Sequence, residues 1–110
     1  DRILQVLTNL LSNALKFCEP KKGEIVVDYK LGNQFLEISV SDNGKGIPEE
    51  DHDYIFDKFY QSQHQNTIKP QGSGLGLAIT KQIVEKHHGK IWAKKGLKNG
   101  ASLVFTLPFK

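Results

Sequence analysis

Methionine is absent from the 110-residue sequence, and cysteine occurs once, as Cys18. A single cysteine cannot form an internal disulfide, so a reducing compartment is expected, and Cys18 is interpreted as a small packing residue rather than a redox group. Long apolar runs are also missing, so no membrane span is predicted. The first residues, Asp1 to Gln5, have the pattern of a helix interior and not of a secretory signal. We therefore interpret the sequence as a fragment of a longer protein.

The composition is that of one soluble globular domain, with 38% apolar and 25% charged residues and a formal net charge of +3. A mild positive balance suits a small anionic ligand. The densest basic cluster surrounds a predicted helix end and hairpin, which favours a solvated surface over a nucleic-acid interface. The cluster comprises Lys86, Lys90, Lys94, Lys95 and Lys98. No nucleic-acid partner is predicted.

Hydrophobic periodicity predicts alternating helices and hairpins. The predicted helices are 2–17, a short one at 49–56, and 76–87, and the predicted strands are 24–31, 34–41, 90–95 and 102–107. Residues 57–71 are polar and without periodicity, and a loop of that length in a compact domain is usually functional. The expected fold class is α+β, a two-layer sandwich in which helices cover one face of a mixed, largely antiparallel sheet.

Each longer helix has an apolar face that should lie on the sheet. The first is expected to bury Ile3, Leu7, Leu10, Ala14 and Phe17, in an arc widened by Leu4, Leu11 and Leu15. The second is expected to bury Leu77, Ile79, Ile83 and Val84.

Asn9, Asn13 and Lys16 share one face of the first helix, at the edge of its apolar arc. A carboxamide oxygen can ligate Mg²⁺, which prefers a few hard oxygens together with phosphates, and a nearby lysine can meet phosphate charge. An ordinary polar helix face is the alternative, and this spacing alone favours it.

The segment from Asp42 to Pro48 follows directly on a predicted strand. An ionised Asp42 only accepts hydrogen bonds, so it can recognise an exocyclic amine such as that of adenine. Gly44 and Gly46 would let the backbone approach a flat ligand, and Ile47 could pack against its ring. The same residue types also make ordinary turns.

Three glycines, Gly72, Gly74 and Gly76, precede and open the last helix, with Leu75 and Leu77 between and after them. Backbone N–H groups at a helix start favour phosphate. The spacing is neither that of a dinucleotide-binding fingerprint nor that of a Walker-type phosphate loop.

These segments, in this order, resemble the catalytic domain of sensor histidine kinases, in the superfamily that includes gyrase and the MutL ATPases. Residues 9–17 resemble its asparagine box, 42–48 its first glycine box, 56–60 its phenylalanine box, and 72–77 its second glycine box. Residues 101–108 resemble its closing strand. The resemblance covers nearly all of residues 1–110, which it identifies as one catalytic and ATP-binding domain without the family's first strand and without its helical phosphoacceptor domain.

The resemblance implies a role for each matching residue. Asn13 would ligate Mg²⁺, Asn9 and Lys16 would contact phosphate, and Phe17 would line the nucleotide pocket. Asp42 would accept from the adenine amine, partly through a water held by Gly46 and Ser102. Residues 57–75 would form the ATP lid, anchored by Phe56, Phe59, Leu75 and Leu77.

The implied reaction is transfer of the γ-phosphoryl group of ATP to a histidine on a separate domain of the same or the partner protomer. His52, His64, His87 and His88 lack the acceptor's neighbouring residues and are interpreted as surface or capping residues. The resemblance further implies a response regulator downstream, a homodimeric parent and a cytoplasmic location, compatible with a parent anchored in the inner membrane.

Two rival functions, and one weaker alternative, fit parts of the same pattern. A water-activating ATPase of the superfamily would carry a glutamate at the position of Asn9. A nucleotide-responsive interaction module would lack transfer activity, and a serine-directed relative such as an anti-sigma-factor kinase is a weaker alternative.

Overall fold

The computed structural model describes residues 2–57 and 76–109. Its elements are α1 (Arg2–Phe17), β1 (Ile25–Leu31), β2 (Phe35–Asp42), a 3-10 turn (Glu49–Asp51), α2 (Gly76–Lys86), β3 (Ile91–Lys95) and β4 (Ala101–Pro108). The two long helices and both hairpins are therefore confirmed. Most of the loop predicted over 57–71 and the first part of the second glycine segment lie outside the described residues. No helix in the described ranges is long and apolar enough to cross a membrane.

The strands form one sheet in the order β1-β2-β4-β3, and every pairing among the described residues is antiparallel. The β1–β2 hairpin forms one half of the sheet and the β3–β4 hairpin forms the other. The halves are joined by pairing of β2 with β4, in which Val40 lies opposite Leu103 and Ile38 opposite Phe105. Alternate residues of β2 and β4 therefore point to the helical layer, where Val40, Leu103 and Phe105 are buried in the core. The predicted two-layer α+β sandwich is confirmed.

The apolar arc predicted for α1 is only partly correct. Val6, Leu10 and Ala14 form the buried stripe, at spacings of four residues. Leu4 and Leu15 were expected to be buried but are 62% and 69% exposed, and Leu11 is also exposed. α1 contacts α2 on one flank and β2 beneath, so the part of its arc that faces away from both elements stays at the surface.

Two further expectations need correction. In α2, Ala78 and Thr80 are buried with Ile83 and Val84, whereas Ile79 is exposed. The helix predicted over 49–56 is a series of tight turns with i→i−3 hydrogen bonds, such as Tyr54 N–H to the Asp51 carbonyl at 2.9 Å. These turns bury the sequence neighbours Ile55 and Phe56 together.

Candidate functional site

Asp42 ends β2 as a buried carboxylate, 4% exposed. The Gly44 N–H donates to its Oδ1 at 2.8 Å, and the Ala101 N–H donates to the same oxygen at 3.4 Å. Both bonds end on Oδ1, so they orient the carboxylate without using its second oxygen, Oδ2. The backbone of two neighbouring segments thus fixes the orientation of the Asp42 carboxylate. When ionised, this group can only accept hydrogen bonds.

The glycines after Asp42 are required by close packing. A Cβ at Gly44 would lie 1.6 Å from the Phe17 carbonyl oxygen, and one at Gly46 would lie 2.4 Å from the Asn99 carbonyl oxygen. Gly46 also has φ +79°, a conformation that side chains disfavour. The loop is therefore held between the end of α1 and the turn that joins β3 to β4.

Asn43 links this loop to the segment that connects α1 with β1. Its Oδ1 accepts from the N–H groups of Glu19 and Glu24 at 3.1 and 3.0 Å, and its Nδ2 donates to the Lys22 carbonyl at 2.8 Å. Asn43 was not predicted to have a role, because asparagine is common in turns and its partners lie 19 to 24 residues away.

The predicted polar face of α1 leads to the helix end that contacts this loop. Asn9 and Asn13 are half-buried and one helical turn apart, and Asn9 Nδ2 donates to Thr80 Oγ1 at 3.1 Å. Lys16 is exposed one turn further on, and Phe17 is half-buried, with its backbone carbonyl beside Gly44. The structure thus places the C-terminal end of α1 against the first glycine segment, and Asn9 against α2.

Ile47, predicted to pack against the ring of a flat ligand, contacts His52 through its backbone. Ile47 is half-buried and packs against the core, and its carbonyl oxygen lies 3.1 Å from Nε2 of His52. His87 Nδ1 similarly lies 2.9 Å from the Ile83 carbonyl oxygen near the end of α2. These contacts agree with the interpretation of both histidines as capping groups.

Gly76 is the first residue of α2 and is exposed. A Cβ built on it meets no atom of the described residues within 4 Å. Leu77, the next residue, packs against the core. Four other predicted site residues lie outside the described ranges, namely Phe59, Gly72, Gly74 and Leu75.

The structure does not bring Ser102 to the carboxylate of Asp42. Ser102 is opposite Ser41 in the register of β2 and β4, and the Ser41 hydroxyl donates to the Ser102 oxygen at 2.9 Å. Side chains of neighbouring strand residues point to opposite faces, so Ser102 and Asp42 face different sides of the sheet. Ala101 is the β4 residue whose N–H reaches Asp42.

The donors available on α1 suit a hydrated cation shared with a ligand. In residues 2–57 and 76–109, no group of three or more His, Cys, Asp or Glu side chains could hold a metal ion. The amide oxygens of Asn9 and Asn13 are hard donors but too few to enclose Mg²⁺, which commonly keeps waters and binds substrate phosphates. The chemistry therefore fits Mg²⁺ bound together with a phosphate ligand.

Comparison with known proteins agrees with this arrangement. Residues 1–110 match the family described as histidine kinase-, DNA gyrase B-, and HSP90-like ATPase. The sensor histidine kinase WalK of Bacillus subtilis is 45% identical over 112 residues, which cover 100% of this chain and 18% of the relative. WalK of Staphylococcus haemolyticus is 42% identical, with 98% of this chain and 18% of the relative covered. The chain therefore spans about a fifth of the length of these relatives.

Solved structures of histidine kinases have the same fold. A mycobacterial sensor histidine kinase, MprB, superposes with a TM-score of 0.84 at 31% identity, over 94% of this chain and 70% of that one. The catalytic domain of the histidine kinase ThkA gives a TM-score of 0.81 at 34% identity, over 97% and 67% of the two chains. Full-length ShkA, solved in complex with AMPPNP, gives 0.81 at 29% identity, over 98% and 21%.

Proposed function

Because the chain belongs to the family of histidine kinase-, DNA gyrase B- and HSP90-like ATPases, in its sensor histidine kinase branch, we propose that it binds Mg²⁺–ATP and presents the γ-phosphoryl group to a histidine. That histidine belongs to a phosphoacceptor domain of the same or the partner protomer. The observation that carries the proposal is the buried, backbone-oriented carboxylate of Asp42 beside a loop that is closely packed on the asparagine-box helix.

Adenine recognition is assigned to Asp42. Its Oδ1 is occupied by backbone N–H groups, which leaves Oδ2 as the acceptor for the adenine amine. Because the carboxylate is held from two sides, it is already oriented before nucleotide arrives, and little ordering entropy is lost on binding. Ile47 and Phe17, both half-buried nearby in the fold, supply apolar surface for the ring.

Phosphate binding is assigned to the polar face of α1 and the start of α2. Lys16 supplies positive charge, and the start of α2 supplies N–H donors of the kind that favour phosphate. Asn13 and Asn9 offer amide oxygens to a hydrated cation. When bound, Mg²⁺ would neutralise phosphate charge. The chain's own contribution is orientation and electrostatics, with the nucleophile brought by another domain.

The proposed partners follow from the same assignment. The phosphohistidine formed on the acceptor domain would pass its phosphoryl group to a response regulator, as part of a homodimeric parent protein. The complex of ShkA with AMPPNP, a relative with the same fold, supports nucleotide use by this chain.

Calorimetric titration of Asp42→Asn with Mg²⁺–ATP tests the proposal. Asparagine keeps Oδ1 as an acceptor for Gly44 and Ala101 but places an NH₂ group where Oδ2 accepts. An unmet buried partner costs about 1–3 kcal/mol, so affinity should fall about 10- to 100-fold. Asp28→Asn, the same change at an exposed strand position, is the matched control. Equal affinity for the Asp42→Asn and Asp28→Asn proteins would contradict the assignment.

A second experiment addresses the acceptor. Incubation of the chain with γ-labelled ATP should leave it unlabelled, and addition of a phosphoacceptor domain from a WalK-like kinase should yield acid-labile label on that domain. Label on His52, His64, His87 or His88 would contradict the interpretation of these histidines.

A further inference from the structure

Thr80 is a buried polar residue of α2 that reaches the asparagine-box helix. It is 0% exposed. Its hydroxyl donates to the Gly76 carbonyl at 2.8 Å, and its oxygen accepts from Asn9 Nδ2 at 3.1 Å. Thr80 thereby connects the first residue of α2 to a side chain 71 positions away in sequence.

The direction of these hydrogen bonds restricts the Asn9 amide. A hydroxyl has one proton, and the short contact to the Gly76 carbonyl, which can only accept, uses it. Towards Asn9 the hydroxyl oxygen is therefore an acceptor. If the amide were rotated by half a turn, Oδ1 would face the Thr80 hydroxyl oxygen. Two acceptors would then face each other in a part-buried position, which is unfavourable.

We propose that Thr80 is a positioning residue that sets the rotation of the Asn9 amide, an inference that rests on the proposed function. With Nδ2 held by Thr80, Oδ1 is turned away from it. Asn9 then acts on the hydrated cation and phosphates through its oxygen and its one remaining N–H. Because the Thr80 hydroxyl donates its proton to the Gly76 carbonyl, the orientation of Asn9 also depends on the first turn of α2.

This role predicts a selective loss with nucleotides of different length. AMP shares the adenine, ribose and first phosphate of ATP but lacks the two outer phosphates that Asn9 is proposed to serve. Thr80→Val replaces the hydroxyl with a methyl of similar size. It should lower the affinity for Mg²⁺–ATP about three- to tenfold and leave the affinity for AMP unchanged. Thr80→Ser keeps the hydroxyl and should retain the ATP to AMP affinity ratio of the unmodified chain.

Thr106→Val is the matched control. Thr106 Oγ1 accepts from the Lys90 N–H at 3.1 Å at the other end of α2, so its loss should alter stability but not the affinity ratio. Thr80→Ala also removes the hydroxyl and serves as the second variant if Thr80→Val does not fold. A purely structural role for Thr80 would lower ATP and AMP affinities together, and that result would overturn the proposal.

Nuclear magnetic resonance of the nucleotide-free chain separates this inference from the proposed function. One of the two Asn9 side-chain amide protons should exchange slowly with solvent in the unmodified chain and in Thr80→Ser. Its protection should be lost in Thr80→Val. Equal exchange in all three would overturn the positioning role even if ATP binds, whereas protection without any ATP binding by the unmodified chain would contradict the proposed function alone.

Discussion

The two glycine segments of the chain differ in what requires their glycines. At Gly44 and Gly46 a side chain would collide with backbone oxygens of α1 and of the β3–β4 turn, at 1.6 and 2.4 Å. At Gly76 a Cβ would meet no described atom within 4 Å, and the residue does not have a positive φ. The first pair is needed by the folded protein itself, whereas packing of the described residues gives no reason for the third.

The difference separates two uses of glycine that look alike in sequence. In the first segment, glycine allows the loop to press against the end of α1, so that Asp42 and Phe17 are held in a fixed relation. At the start of α2, glycine leaves an open surface next to helix N–H groups, which suits the close approach of a phosphate. Substitutions at Gly44 and Gly76 test this distinction, and substitutions at Asn43 test how the first segment is held in place.

Gly44→Ala should cause the largest change. The new methyl would overlap a backbone oxygen of α1, which cannot move away as a flexible side chain could, so the loop or the helix must shift. Overpacking of this kind costs about 1–3 kcal/mol and sometimes more, and we expect about 3 kcal/mol. Urea unfolding followed by circular dichroism measures it, and a midpoint equal to that of the unmodified chain would contradict the packing argument.

Asn43→Ala should have an intermediate effect on the same loop. It removes three hydrogen bonds that connect the loop to the α1–β1 segment, but at a largely exposed place where water can replace them. We expect a loss of about 1–2 kcal/mol in unfolding free energy. Asn43→Asp keeps the acceptor and loses the donor to Lys22, so its loss should be smaller. If the Asn43→Ala and Asn43→Asp proteins lost the same unfolding free energy, the hydrogen bonds from Glu19 and Glu24 would not contribute to stability.

These contacts show where sequence reasoning succeeds and fails. The bounds of α1 and the four strands follow from periodicity, because apolar spacing reports local structure directly. Periodicity does not say which part of a broad apolar arc meets the sheet, so Val6 was missed and Leu4 and Leu15 were wrongly expected to be buried. The site residues are predicted from local motifs, which the sequence displays directly. Thr80 and Asn43 are not, because their roles depend on partners distant in sequence.

Gly76→Ala should have a small effect on stability and a distinct effect on ligand. Alanine is favoured over glycine within helices by up to about 1 kcal/mol, and there is room for its methyl among the described residues, so unfolding free energy should stay equal or rise slightly. The methyl would stand where a phosphate is proposed to approach, so affinity for Mg²⁺–ATP should fall several-fold. Calorimetry measures the effect on ATP affinity, and urea unfolding of the same protein measures the effect on stability. Unchanged ATP affinity would mean that glycine is not needed there for ligand either.

The smallest expected signal is ATP hydrolysis, which distinguishes the kinase from the water-activating ATPase. A general base must accept a proton near neutral pH, and an amide such as that of Asn9 has no useful basicity. Part of that amide is in addition committed to Thr80. A neutral histidine brought by another domain carries its own lone pair and does not need a general base to activate it. Poor activation of water therefore protects ATP until the acceptor arrives.

Phosphate release by the unmodified chain at saturating Mg²⁺–ATP should therefore stay close to background. Asn9→Glu supplies a carboxylate at this position, with Asn9→Gln as the matched control of equal length, and a rise confined to the glutamate variant would strengthen the argument. Sustained turnover by the unmodified chain of about 1 per second or more, the ordinary range of enzymes, would instead favour the ATPase.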